Sequence, residues 1–189
     1  MAATSRPDGI GNNLGIDAFP ADLLFTRGIL LDVARREAGG RPEPLAPGFV
    51  ITAQHLEETE KAQGVTVKPG DSVLIRTGWG QHFGQDNARY LGERSPGPGV
   101  EAARWLVGRG VRLTGTDTAT YEVRPAMSGA ELFPVHMLLI ADHGVYLVEN
   151  ANLEELSTAE AHLFCLVTPP LRLRGASGSP LRMLAVAPK

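Results

Sequence analysis

The sequence predicts a single α/β domain, because buried strands alternate with helices along most of the chain. The apolar run "GILLDVA" (28–34) predicts a buried strand. Thr52 is a suitable N-cap for a helix through "AQHLEETEKAQ", which Gly64 would end. A Pro-Gly turn in "VKPGDSVLIRTGW" then introduces a strand over residues 72–77. With 189 residues and 43% hydrophobic composition, the chain can bury one sizeable core.

The second half continues the same alternation. Pro98 precedes "GVEAARWLVGRG", whose apolar residues have helical spacing and whose glycines Gly108 and Gly110 stop the helix. The next segment, "VRLTGTD", predicts a strand that ends at Asp117. The segment "PVHMLLIADHG" predicts a short helix from near Pro134 to Gly144, and "VYLVEN" predicts the strand after it.

The two ends of the chain differ from this pattern. Residues 1–24 predict an extended N-terminal arm, since their first 20 residues are rich in Gly, Asn, Pro and Asp and lack periodicity. Residues 25–189 form the expected single domain. In the tail, strands are interrupted at Pro169 and Pro170 and at "GASGSP", which is typical of the edge of a mixed sheet.

The composition and charge of the sequence indicate which partners and which location to expect. The net charge is -3 and the basic residues are scattered, so we expect a small-molecule partner, no nucleic acid and no membrane surface. We find neither a signal-peptide pattern nor an apolar run near the roughly 20 residues of a membrane span, which favours a cytoplasmic location. Cys165 lies in the apolar run "HLFCLV", so we expect a buried thiol.

The segment "HMLLIADHGVYLVEN" suggests half of a metal site. His136 begins a short apolar segment, and Glu149 ends the strand that follows. Glu149 shares a strand face with Val145 and Leu147, so a core-facing Glu149 would need a metal, a cation, donors or a proton. The alternatives are a strand-end Glu149 in water and a His136 that only satisfies the helix start.

Asp117 and Arg76 are further candidates. Asp117 stands at the carboxyl end of its strand, where ligands often bind in open α/β sheets, or it caps its own turn. Arg76 suits a carboxylate or anion, or an internal salt bridge to Glu149 or Asp117. Phosphate-loop, dinucleotide, serine-hydrolase and paired-cysteine motifs are lacking.

Four ordered blocks carry a resemblance to a known family. "DSVLIRTGWG", "GVRLTGTDT", "PVHMLLIADHGVYLVENANLEEL" and "PLRLRGASGSPLRMLAVA" resemble the cyclase family of metal-dependent hydrolases. The likeness runs from about Asp8 to the C-terminus. It implies a cyclase-like α/β fold with a central mixed, partly barrel-like sheet flanked by helices, assembled as a homodimer or homotetramer with sites near subunit contacts.

The resemblance also implies a divalent zinc or manganese ion. Such enzymes hold it mainly through an H-x-G-T-H-x-D-x-P-x-H segment near the N-terminus, with a later His and Glu that His136 and Glu149 match. The first segment is missing, since the sequence has no H-x-x-x-H pattern, and "DGIGNN" resembles the stretch that normally follows it. We therefore expect an N-terminally truncated fold with two of the usual ligands. A catalytic zinc ordinarily has three protein ligands.

Several functions remain open at this point. The first is a hydrolase acting on the C–N or C–O bond of a small amide, formamide, lactam or lactone, or a related cyclisation or dehydration. It would use a metal-bound water, or no cofactor, with His136 and Glu149 as acid and base and Arg76 steadying negative charge. The second is a metal-free, non-catalytic binding or scaffold protein of the same descent. The third is an incomplete gene product that needs the absent segment for activity.

Overall fold

The computed structural model describes residues 15–125, 127–128 and 131–187. Its ten strands, numbered β1 to β10 in chain order, are Phe25–Asp32, Val50–Ile51, Ser72–Arg76, Gly97–Pro98, Leu113–Thr116, Met127–Ser128, Glu131–Leu132, Tyr146–Val148, Leu163–Val167 and Leu184–Val186. The α-helices α1 to α6 are Val33–Glu37, Ala53–Gln63, Asn87–Tyr90, Val100–Gly108, Pro134–His136 and Glu154–Thr158. Short 3-10 helices cover Ile16–Ala18, Ala21–Leu23 and Trp79–His82.

A six-stranded mixed sheet organises the domain in the order β10-β9-β1-β3-β5-β8. The four strands β1, β3, β5 and β8 run parallel, whereas β9 pairs antiparallel with β1 and β10 antiparallel with β9. This confirms the predicted mixed α/β sheet flanked by helices. In the part of the chain that the structure describes, the sheet is open, with β10 and β8 at its edges. Two pairs of short strands, β2 with β4 and β6 with β7, lie outside it.

The two faces of the sheet carry separate apolar layers. Ile29 and Leu31 of β1 face one layer, which includes Leu56 of α2 and Leu106 of α4. Leu30 faces the other layer, together with the residues Leu74, Leu113, Phe164 and Leu166. This alternation with a period of two is what a strand buried on both faces requires.

Helix α2 begins and ends as predicted. The Thr52 hydroxyl accepts a hydrogen bond from the backbone of His55, whose side chain accepts one from the backbone N–H of Thr52, so the two residues form a reciprocal capping box. Gly64 has a φ of 65° and ends the helix in the left-handed region, where glycine is favoured.

Three sequence predictions need correction. The first strand is Phe25–Asp32, and residues 33 and 34 already belong to α1. The predicted helix after Pro134 is one α-helical turn followed by a π-helix over Met137–Asp142. Cys165 is exposed, because the alternate residues Phe164 and Leu166 take the inward positions of β9.

The described part of the predicted N-terminal arm packs against the domain. Ile16 and Leu23 are buried, and the backbone N–H of Ile16 donates to the carbonyl oxygen of Ala176 at 2.9 Å. Residues 1–14 lie outside the described residues. Within the described ranges, every helix is too short or too polar to cross a membrane.

Candidate active site

The four parallel strands bring their carboxyl ends to one edge of the sheet. Asp32 ends β1, Arg76 ends β3, Asp117 follows β5 and Glu149 follows β8. In open α/β sheets, ligands usually bind in a crevice outside this edge, beyond the carboxyl ends of the strands. The fold therefore gathers Arg76, Asp117 and Glu149 at one edge.

Each of the three side-chain nitrogen atoms of Arg76 donates a hydrogen bond within the protein. Its Nη1 donates to Oδ1 of Asp32 at 2.9 Å, and its Nε and Nη2 donate to the two carboxylate oxygens of Glu154 at 2.8 and 2.9 Å. Burial alone would lower the pKa of the guanidinium, but the bonds and charges of Glu154 and Asp32 raise it. The salt bridge considered from the sequence thus exists, with Asp32 and Glu154 as partners in place of Glu149 or Asp117.

Asp117 fastens the loop after β3. Its Oδ1 accepts from the backbone N–H and the hydroxyl of Thr77, at 2.9 and 2.6 Å, and its Oδ2 accepts from the backbone N–H of Gly80 at 3.4 Å. Burial raises the pKa of this carboxyl, while the bonds from Thr77 oppose the rise. Asp117 therefore holds the loop that follows β3. These hydrogen bonds come from another segment, unlike the turn cap considered from the sequence, which would bond to the backbone next to Asp117 itself.

His136 and Glu149 do lie together, as predicted. The imidazole Nε2 is 3.3 Å from Oε1 of Glu149. His136 comes from the first turn of α5, and Glu149 comes from the end of β8, so the π-helix between them folds the chain back. The Glu149 side chain is 36% exposed and that of His136 is 25% exposed, which leaves the pair open to solvent.

A third residue, the acid Glu122, which sequence reasoning missed, completes the group. Glu122 is 1% exposed, and its Oε1 is 2.5 Å from Nδ1 of His136. Burial by itself lowers the pKa of His136, but the hydrogen bonds and charges of Glu122 and Glu149 outweigh it and raise that pKa to about 9. Glu122 lies in an irregular segment without periodicity or motif, so no local pattern distinguished it.

A cavity of about 740 Å³ lies beside Glu149. Its walls include Asn150 and the aromatic side chains of Phe19 and Tyr146, whose rings meet edge to face at 4.7 Å. The hydroxyl of Tyr90 donates to Oδ1 of Asn150 at 2.8 Å, and burial together with the charges of Asp117 and Glu149 raises the pKa of Tyr90 to about 12. A cavity of this volume suits a small organic molecule.

The donor set of His136 and Glu149 fits part of a metal site. Two tetrahedral ligands, each about 2.0–2.1 Å from zinc, lie about 3.3 Å apart, which is the separation of Nε2 and Oε1 here. Glu122 behind the ring supplies the outer carboxylate that metal-binding histidines usually have. Over the described ranges, however, no group of three His, Cys, Asp or Glu side chains could hold the ion.

The chain combines an open mixed α/β sheet with a histidine and two acids near the carboxyl edge of that sheet. Residues 5–123 match the family model described as a putative cyclase. The chain therefore belongs to the cyclase family.

Comparison with individual proteins agrees with this family assignment. The isatin hydrolase of Roseibium aggregatum is 31% identical over 147 residues, which cover 76% of this chain and 54% of that protein. A crystal structure of an isatin hydrolase bound to the product analogue thioisatinate superimposes with a TM-score of 0.78 and 26% identity, covering 99% of this chain and 67% of that one. A potential metal-dependent hydrolase with cyclase activity shares the fold, with a TM-score of 0.62 at 21% identity over 89% of this chain and 68% of that one. The chain spans about half the length of the curated relatives it matches.

Proposed function

We propose that the protein is a hydrolase that opens the amide C–N bond of a small lactam, with His136 and Glu149 as ligands of a divalent zinc or manganese ion. The observation that carries this proposal is the 3.3 Å separation of Nε2 and Oε1 beside a cavity of substrate size. The likeness to isatin hydrolase supports the lactam, since isatin is a bicyclic aromatic lactam.

The cavity supports a flat, largely apolar substrate. Phe19 and Tyr146 offer aromatic surface against which a ring can pack. The Asn150 oxygen already accepts the Tyr90 hydroxyl, so its amide N–H groups remain as donors on the cavity wall. We assign these donors to the carbonyl oxygen of the lactam, where negative charge develops as water adds.

The overall reaction is the addition of water to the lactam carbonyl. The oxygen–carbon bond forms, the C–N bond breaks, and the released nitrogen takes a proton, which leaves a ring-opened amino acid. A bound divalent ion would supply a water of lowered pKa and polarise the carbonyl. The protein's own contribution is to hold the His136 ring next to the Glu149 carboxylate, which lines the cavity, and to orient the carbonyl at Asn150.

Metal content per chain tests the proposal directly. The purified protein is incubated with zinc or manganese, dialysed, and analysed by elemental mass spectrometry. We expect near-stoichiometric metal that is lost in His136→Ala and kept in His143→Ala, a control in which an exposed histidine of the same segment is removed. Isatin ring opening, followed by absorbance, should depend on that metal. Protein that retains no metal would overturn the metallohydrolase assignment and favour metal-free acid–base chemistry or simple binding of a small molecule.

A further inference from the structure

The buried carboxylate of Glu122 makes three contacts with one short stretch of helix. Its Oε2 accepts from the backbone N–H of Val135 at 3.2 Å. Its Oε1 accepts from the backbone N–H of His136 at 3.1 Å and also contacts the imidazole Nδ1 of His136 at 2.5 Å. One side chain therefore holds both the backbone and the ring of the same histidine.

The contact with the ring determines where the imidazole carries its proton. A carboxylate only accepts hydrogen bonds, so in a neutral imidazole Glu122 and Glu149 compete for one proton. The shorter contact, 2.5 Å at Nδ1 against 3.3 Å at Nε2, favours Nδ1 as the donor. In a neutral imidazole the other nitrogen, Nε2, is then the atom with the free lone pair. That atom faces Glu149, at 3.3 Å from Oε1.

Neighbouring rings fix the plane of the imidazole. Tyr121 and Phe133 meet it edge to face, with centroid separations of 6.5 and 5.6 Å and interplanar angles of 90° and 77°. With Glu122 at Nδ1 and aromatic rings at its sides, the imidazole has little freedom to turn. Such support by a second layer of residues determines the orientation of a histidine that acts at a site.

We infer that Glu122 is a positioning residue that holds the proton of His136 on Nδ1 and so presents the Nε2 lone pair to the Glu149 side of the site. A helix cap alone would need only the two backbone contacts, for which a shorter Ser, Thr or Asp is the usual choice. The third contact, to the ring, is the feature that a purely structural role leaves unexplained. The inference rests on the proposed function only in taking Nε2 as the atom that faces a metal.

Long-range proton–nitrogen NMR spectra of the metal-free protein test the inference without any metal. They are recorded at a pH high enough for His136 to be neutral. We expect the Nδ1–H tautomer in the wild type, a shift towards Nε2–H in Glu122→Ala, and an intermediate spectrum in Glu122→Gln, which keeps one acceptor oxygen. Glu60→Gln is the matched control, because Glu60 is another buried acid that accepts a backbone N–H, that of Val67 at 2.7 Å, and it should leave the His136 signals unchanged.

Two spectroscopic results would overturn the inference. One is a wild-type protein in which the proton of His136 lies on Nε2. This measurement needs no variant, so it remains a valid test even if Glu122→Ala fails to fold. The other is an unchanged tautomer in a folded Glu122→Ala protein.

Zinc affinity, measured by competition with a chelating indicator, supplies the second readout. We expect it to fall about 10–100-fold in Glu122→Ala, less in Glu122→Gln and not at all in Glu60→Gln. A wild type that shows the Nδ1–H tautomer but binds no zinc would support the positioning role and reject the proposed metal function. The positioning role of Glu122 and the proposed metal function can therefore be refuted independently of each other. Where the wild type does bind zinc, an unchanged affinity in Glu122→Ala would contradict the positioning role.

Discussion

The guanidinium of Arg76 and the carboxylate of Asp32 meet at 2.9 Å with 0% and 2% of their side chains exposed. Arg76→Met should therefore cost about 3–5 kcal/mol of unfolding free energy, because it leaves Asp32 charged and buried without its cation. Urea unfolding followed by circular dichroism measures the loss. Arg41→Met, which removes an exposed partner of Glu43, is the control and should change stability by less than about 0.5 kcal/mol. A loss below about 1 kcal/mol in Arg76→Met would contradict the structural role.

Asp117 should matter for stability through the loop that it holds. Asp117→Ala leaves the buried donors of Thr77 and the partly buried N–H of Gly80 without this acceptor, and we expect it to cost about 3 kcal/mol. Asp117→Asn keeps one acceptor oxygen and should cost about 1 kcal/mol. Thermal unfolding of both variants shows which one loses more stability, with the exposed Asp142→Ala as control. Equal losses in the Ala and Asn variants would show that the hydrogen bonds are not what Asp117 contributes.

The position of Gly28 should not tolerate a residue with a side chain. A Cβ at this position would lie 2.3 Å from Cε2 of Phe164 and 2.9 Å from Cβ of Leu166, so β1 and β9 would have to shift. We expect Gly28→Ala to cost about 1–3 kcal/mol by overpacking. Gly108→Ala is the matched control, since a Cβ there meets no atom within 4 Å among the described residues and α4 should gain up to about 1 kcal/mol. Similar unfolding midpoints for the two variants would refute this packing argument.

His82 should make the protein less stable in mild acid. Its ring packs against Trp79 at 4.8 Å, and burial followed by the charge of Arg89 lowers its pKa, although Asp86 opposes this. The unfolded chain then binds the proton first, so stability declines as the pH falls from about 6.5 through the folded-state pKa. Between pH 8 and pH 5, His82→Phe should lose less unfolding free energy than the wild type. Parallel denaturant curves at the two pH values check this, and an equal decline in both proteins would count against it.

The sequence predicted the elements whose ends carry strong local signals. Thr52 and Gly64 bracket α2 as expected, because a capping side chain and a left-handed glycine act locally. The strands of the parallel sheet were found for the same reason, as short apolar runs between turns. The π-helix after His136 was not predicted, since apolar spacing alone does not show where a helix widens its turn.

The candidate site was predictable only in part. The pattern of their segment suggested His136 and Glu149 as a pair, the family resemblance supported the pairing, and the two side chains do lie side by side. Glu122 and the partners of Arg76 depend on contacts between residues far apart in the chain, as in the pair of Arg76 with Glu154, 78 residues away. The burial of Cys165 was predicted wrongly because a run of apolar residues does not show which alternate positions face inward.

The exposed Cys165 is a native site for chemical labelling of this protein. It is the sole cysteine of the sequence, and it lies in a shallow apolar hollow of about 470 Å³ together with Phe25, Leu163 and Val186. A maleimide dye would therefore label one known position without any mutagenesis. Because the hollow is apolar and open, the colour and lifetime of an environment-sensitive dye there would report when another surface covers β9 and β10.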